Sequence, residues 1–271
     1  MKMKKLFIVF ISISIAFSAN SQSAKTYYNR GIAKFDKQDY RGAIPNFSMA
    51  ITKNPRFAEA YYNRGFTKNA LKDYNGAISD YTRTIMLDSR FAAAYNNRGV
   101  AKNSIHDFKS AIIDFTSVIN LDPKNIEAYY NRGISKNAIK DFQGAIDDFT
   151  TVLKLDSKDA SSYHNRGFSK NELKDFKGAI ADFTKAVEIY PNDDGAYLLR
   201  AAAKSNLNDD KGAVADLTKA IEIKPEYAEA YFNRGKAKIR LEQAENGCQD
   251  LKKARDLGHI KAIRAIKELC E

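Results

Sequence analysis

The residues best equipped for chemistry in this chain are an asparagine and an arginine side by side, written again and again. Asn29, Asn63, Asn97, Asn131 and Asn165 stand 34 residues apart, and Asn233 stands two periods beyond Asn165. An arginine follows each, as Arg64, Arg98, Arg132 and Arg166 do, with a lysine four residues further on. An asparagine amide offers a donor and an acceptor side by side, which matches a peptide group. An arginine fork matches a carboxylate. Carboxylates recur on the same beat at Asp80, Asp114, Asp148, Asp182, Asp216 and Asp250. These are recognition groups, and nucleophiles or metal ligands do not accompany them. The three histidines, His106, His164 and His259, lack ligand spacing to one another or to either cysteine. No phosphate-cradling glycine loop and no GxSxG elbow occurs. The sequence therefore predicts no catalytic residues, no metal and no cofactor.

The elements that position these residues follow from the same period. The octapeptides YYNRGIAK, YYNRGFTK, YNNRGVAK, YYNRGISK, YHNRGFSK, YLLRAAAK and YFNRGKAK begin at Tyr27, Tyr61, Tyr95, Tyr129, Tyr163, Tyr197 and Tyr231. Each period carries two helical patterns. In the second unit, AEAYYNRGFTKNALKD reads as a first helix ending near Asp73. YNGAISDYTRTIMLD reads as a second, with Ala77, Ile78, Tyr81 and Ile85 at helical spacing. Pro55, Pro123, Pro191 and Pro225 fall where the second helix must stop. A glycine inside a helix costs about 1 kcal/mol against alanine. One that returns at Gly31, Gly65, Gly99, Gly133, Gly167 and Gly235 predicts a close helix approach. The expected partner is the small residue of the second helix (Ala43, Ala77, Ala111, Ala145, Ala179, Ala213), with aromatics such as Tyr61 and Tyr81 to either side. Helix pairs that stack and bury their faces on one another form an all-α solenoid.

On these residues, the 34-residue period, Tyr–x–x–x–Gly in the first helix and Ala–x–x–x–aromatic in the second, the chain resembles the tetratricopeptide repeat (TPR) family. Seven units fit, at about 24–57, 58–91, 92–125, 126–159, 160–193, 194–227 and 228–261. A capping helix is expected at 262–271. The resemblance implies a right-handed superhelix whose groove is lined by the first helices, and a non-catalytic scaffold that binds an extended segment of another protein. The groove set it implies is Asn29, Asn63, Asn97, Asn131, Asn165 and Asn233 with Tyr28, Tyr62, Phe66, Tyr130 and Ile134. Such a row resembles the asparagine ladder with which some family members hold peptide by its backbone. Neighbouring helices lie about 10 Å apart and an extended chain advances ~3.3 Å per residue, so one asparagine per repeat would meet about every third peptide unit. The alternative is that each asparagine bonds only to a neighbouring helix of the array. The family commonly has leucine at the arginine positions and an aromatic at the lysine positions. The lysine–asparagine clamp of co-chaperone members does not carry over, because Tyr28, Tyr62, Glu59 and Glu127 occupy the places of its lysines.

Arg64 and Lys68 are like charges at i and i+4, a pairing that costs about 0.2–0.5 kcal/mol in an isolated helix. The matched aspartates predict the compensation: ion-pair rows of Arg64, Arg98, Arg132 and Arg166 against Asp80, Asp114, Asp148 and Asp182. The competing reading is a cationic envelope module for polyanions. The aspartate row argues against it, and nucleic acid is not expected. The sixth unit departs from the others, with Leu199, Ala201 and Asp210 in place of Asn, Gly and an aromatic. Contacts with a guest are therefore expected on the first five units.

The two ends carry separate signals. MKMKK, then LFIVFISISIAF, then SANSQS has the order of a secretory signal peptide, residues 1–21, with cleavage expected after Ser21. No cysteine follows the apolar run to carry a lipid, and no second apolar segment predicts a membrane span. The expectation is a protein exported to the periplasm or secreted. The formal charge is +11, and +8 once Lys2, Lys4 and Lys5 leave with that segment; the charges are dispersed along the repeats. At the other end, Gly258 marks a helix stop. The next helix must return antiparallel, with Ile260, Ile263, Ile266 and Leu269 expected to cover the last face. Cys248 and Cys270 flank the turn at similar distances and are expected to form a disulfide, which an oxidising compartment permits.

Overall fold

In the computed structural model, residues 22–271 are described, and every regular element among them is a helix. The expected signal peptide, residues 1–21, lies outside the described residues. The described residues divide into two compact units, residues 22–135 and 136–271. We number the helices in chain order. The first unit holds α1 (22–36), α2 (Tyr40–Lys53), α3 (Ala58–Ala70), α4 (Tyr74–Leu87), α5 (Ala92–Ser104), α6 (Phe108–Leu121) and most of α7 (Ile126–Ala138). The second holds α8 (Phe142–Leu155), α9 (Ala160–Glu172), α10 (Phe176–Ile189), α11 (Asp194–Asn206), α12 (Asp210–Ile223), α13 (Ala228–Arg240), α14 (Ala244–Asp256) and α15 (Ile260–Leu269). Within each unit successive helices pack on one another, so odd-numbered helices are the first and even-numbered the second of each hairpin.

The turn inside a hairpin is built by an aspartate. Asp39, Asp73, Asp141, Asp175 and Asp209 each accept the N–H of the residue three places on, at 2.9–3.0 Å. That residue is glycine, because a Cβ at Gly76 would fall 2.1 Å from Asp73 Oδ2. Where the third unit has Ser110 instead, the bond to Asp107 stretches to 3.3 Å. The residue before each cap lies in left-handed backbone without being glycine, as Lys72, His106, Lys140 and Lys174 do at φ 62–63°.

The core is a column of second-helix side chains in each unit. Phe47, Tyr81 and Phe115 are fully buried in the first, and Phe149, Phe183, Leu217 and Leu251 in the second. These rings lie nearest the Cβ position of several of the recurrent glycines. A Cβ on Gly31 would lie 2.6 Å from Phe47, on Gly99 2.8 Å from Phe115, and on Gly167 3.0 Å from Phe183. An aromatic ring fits this space between two helices only when one backbone is bare. The sixth unit makes the reverse exchange: Ala201 takes the glycine position and Leu217 the ring position, and the two share one cluster. In the seventh, two small residues meet, with Gly247 O 2.8 Å from the Cβ position of Gly235.

The terminal helix corrects another expectation. Of the stripe expected to cover the last face, Ile266 is 7% exposed, but Ile260 is 83% and Ile263 61% exposed, and Leu269 also faces outward. Ala262, Ala265 and Ile266 make the contact, against Phe232, Leu251 and Ala254. The physical reason is proximity. The Cys248–Cys270 disulfide holds the two Cα atoms 5.8 Å apart, and at such an approach alanine fits where isoleucine does not. The helix begins at Ile260 rather than at 262.

Two buried orphan atoms give a prediction. Tyr81 Oη has no hydrogen-bond partner among the described residues, whereas the neighbouring repeats have phenylalanine there. Burial, then Tyr62 and Asp80, push the Tyr81 hydroxyl above its ordinary range. Tyr81→Phe should raise stability by about 1–2 kcal/mol. An unfolded tyrosine releases its proton near pH ~10 while buried Tyr81 keeps it, so stability is intact below that pH and falls as pH rises. The variant should lose stability less steeply there. Asn69 Oδ1 is the second orphan. Its counterpart Asn103 Oδ1 lies 2.9 Å from the Ser135 hydroxyl of the next repeat, where Asn69 faces the position of Ala101. Ala101→Ser should add about 0.5–1 kcal/mol. Hydrogen exchange in α3–α5 reads both, and unchanged protection would contradict them.

Candidate functional site

The arginine row lies inside the array. Arg64 Nε and Nη2 donate to the two carboxylate oxygens of Asp80 at 2.9 and 2.6 Å. Lys68 Nζ reaches Asp80 Oδ2 at 2.8 Å. The same bidentate grip joins Arg98 to Asp114, Arg166 to Asp182, Arg200 to Asp216 and Arg234 to Asp250. Lys136 pairs with Asp148 at 2.8 Å. One aspartate thus answers both like charges of its hairpin. The carboxylates are nearly inaccessible, Asp114 being 1% exposed.

Sequence reasoning missed the third arm of each fork. Arg64 Nη1 donates to Ser48 Oγ at 3.0 Å, on the second helix of the preceding repeat. Arg98, Arg132, Arg166, Arg200 and Arg234 do the same to Thr82, Thr116, Thr150, Thr184 and Thr218 at 3.0–3.1 Å. The signal was present as a hydroxyl on the 34-residue beat, at Ser48, Thr82, Thr116, Thr150, Thr184 and Thr218. Each guanidinium also lies over the tyrosine three residues before it, as Arg132 does over Tyr129 at 5.5 Å.

The asparagine row divides by repeat. Asn63 Nδ2 donates to Tyr28 Oη at 2.9 Å and Asn97 Nδ2 to Tyr62 Oη at 2.8 Å, each tyrosine belonging to the preceding first helix. The rings of Tyr28 and Tyr62 lie between hairpins, with centroids 4.9 Å from Phe57 and Phe91. Burial raises both hydroxyl pKa values above the ordinary tyrosine range, with Glu59 adding to the rise at Tyr28 and Glu127 at Tyr62. Asn165 Nδ2 donates to Ser161 O at 2.8 Å. The tyrosine is missing before two others: Asn96 stands ahead of Asn131, and Leu198 ahead of Asn233. The Asn131 amide has no side-chain partner among the described residues. Asn233 Nδ2 turns to Glu229 on its own helix at 3.3 Å. Asn29 is exposed. Of the apolar members of the set, Phe66 is exposed beside Phe35, while Tyr130 and Ile134 are half-buried.

A cavity of about 190 Å³ lies beside Asn233, lined also by Ser205, Asn206, Lys236, Arg240 and Leu217. It exists because Ala202 and Lys236 replace the larger apolar residues of earlier repeats, such as Phe66 and Phe168, and Leu217 replaces a ring. Arg240, on its wall, pairs with Asp210, the acid that replaced an aromatic. The Arg240 fork, with Ser205, holds the pKa of that carboxylate below the usual range against the opposing effect of its burial.

An array of helix hairpins fixed by such a repeating ion cluster defines an all-α solenoid with a terminal helix. The particular family follows from comparison: models of the tetratricopeptide repeat match residues 28–81 and 160–193, and a TPR repeat model matches 206–241. The chain is a tetratricopeptide repeat protein. A solved tetratricopeptide repeat protein from Parabacteroides merdae is 22% identical, with TM-score 0.67, covering 92% of this chain and 97% of its own. YrrB, described as a TPR protein with an unusual peptide-binding site, is 24% identical with TM-score 0.61, covering 69% and 97%. MamA is 25% identical with TM-score 0.60, covering 64% and 94%. No curated protein sequence matches the chain. Among the described residues no helix is long and apolar enough to cross a membrane.

The fork predicts its own mutant. Arg98→Leu, which installs the common family residue, leaves Asp114 buried with Lys102 alone and unties α5 from Thr82. It should cost about 3–5 kcal/mol, read as lost hydrogen-exchange protection in α4–α6. An unchanged or more stable variant would show that the arginines serve solvent or ligand.

Proposed function

We propose that this chain is a non-catalytic protein-interaction scaffold whose first helices hold an extended segment of another protein. The observation that carries the reading is the asparagine amide left without a tyrosine. Asn131 in the first unit and Asn233 in the second have lost the acceptor that engages Asn63 and Asn97. A peptide group supplies the complementary donor and acceptor. The cavity beside Asn233 offers room for one side chain of the guest. YrrB, whose fold this chain shares, is described by its peptide-binding site. A polyanion reading finds less support, because the arginine and lysine rows give their N–H groups to buried aspartates. Guest contacts are thus proposed at Asn233 as well as among the first five repeats.

The proposal includes export to the periplasm or beyond. The basic, apolar and small-residue order of residues 1–21 supports it. So does the Cys248–Cys270 disulfide, a bond that a reducing cytosol does not maintain. Cell fractionation with thiol trapping tests this part, and a reduced cytoplasmic pool would overturn it.

Binding is tested with a peptide selected against the folded chain from a display library. Asn131→Ala and Asn233→Ala should each weaken it about 3–10-fold with the fold intact. Asn97→Ala should instead lower stability and leave affinity unchanged. If the Asn97 variant alone loses binding, the tyrosine-engaged asparagines are the ones that meet the guest.

A further inference from the structure

The first repeat differs from its six copies at one decisive position. Every later repeat has aspartate 16 residues after its arginine, but Arg30 is matched by Asn46. Arg30 keeps the posture of its copies. Its guanidinium lies 5.5 Å over Tyr27, as Arg98 lies 5.6 Å over Tyr95 and Arg166 5.5 Å over Tyr163. Yet Arg30 makes no hydrogen bond or ion pair among the described residues. Asn46 does not stand in for the acid, because its amide donates along its own helix to Gly42 O at 2.8 Å. Lys34, whose copies reach the buried aspartate, turns instead to the exposed Asp39 at 2.9 Å. A cavity of about 260 Å³ opens between α1 and α2, lined by Arg30, Ala33, Lys34, Lys37 and Asn46.

The geometry points to Arg30 as an open docking fork for a carboxylate side chain, Asp or Glu, of a partner protein. Three observations converge on that occupant. The same fork, in the same posture over its tyrosine, closes on an aspartate carboxylate elsewhere in the chain, so its shape is already that of a carboxylate acceptor. Preorganisation lowers the ordering cost of binding. Lys37 adds a second cation at the rim with no ion pair among the described residues. Residues 1–21 contain no Asp or Glu, so that segment cannot supply the acid. The inference rests on the reading of the chain as a protein-binding scaffold and adds a charged contact at its first repeat.

Asn46→Asp provides the test, because it rebuilds within the first hairpin the pair that later repeats contain. The Arg30 Nε–Hε NMR signal of the full chain is followed during titration with three probes: a capped peptide of alternating Asp and Glu, its Asn/Gln counterpart, and inorganic phosphate. The acidic peptide should shift the signal saturably and the neutral one should not. Asn46→Asp should weaken the acidic peptide at least about tenfold, while Asn46→Ala leaves it unchanged. Helicity and the disulfide confirm that both variants fold. Equal affinity in Asn46→Asp would overturn the proposal, and so would phosphate acting as strongly as the acidic peptide. If the acidic peptide fails while the Asn131-dependent peptide still binds, the fork falls and the scaffold reading stands.

Discussion

The structure depends on a guanidinium that ties three helices. Arg64, Arg98, Arg166, Arg200 and Arg234 each grip the aspartate of their own second helix and a hydroxyl of the second helix before it. The aspartate bond sets the register of the hairpin, and the hydroxyl bond sets the register between hairpins. Burying charge is expensive, and an apolar replacement of such a cluster is often neutral in stability. What the cluster supplies here is a directional contact that alanine-rich faces cannot. Small apolar residues such as Ala60, Ala94 and Ala128 pack closely but slide easily. A planar fork with fixed donor directions does not.

Around that fork, volume is exchanged within a hairpin. A ring on the second helix is matched by a bare backbone on the first, and when Ala201 adds a Cβ the ring shrinks to Leu217. The exchange is local, so one repeat can be altered without disturbing its neighbours. It also changes the surface: the cavity at Asn233 exists only where the large apolar residues have been withdrawn. Function in a repeat array is thus written in departures from the repeat, since positions that obey it are already engaged with the next copy.

The asparagines illustrate the point. Written identically in six repeats, they bond a preceding tyrosine at Asn63 and Asn97, whereas Asn131 and Asn233 have Asn96 and Leu198 in the place of that tyrosine. Arg30 is the same kind of case, distinguished from its copies by a residue 16 positions away. Neither can be recognised by looking at the residue alone.

The sequence by itself determined the repeat, the helix pairs, the family and the aspartate partners of the arginines, because these follow from period, and period is a property of the chain. It also placed Cys248 and Cys270 opposite one another, since equal distances from a tight turn meet in an antiparallel pair. The tertiary structure decided which atoms face each other across repeats: the ring close against the glycine, the hydroxyl as third arm of the fork, and the tyrosine as acceptor for Asn63 and Asn97. It also turned Ile260 and Ile263 outward, against the stripe that helical spacing suggested. The physical reason is that helical periodicity fixes a residue's angle on its own helix. It leaves open the rotation and distance of the neighbouring helix, which close packing settles side chain by side chain.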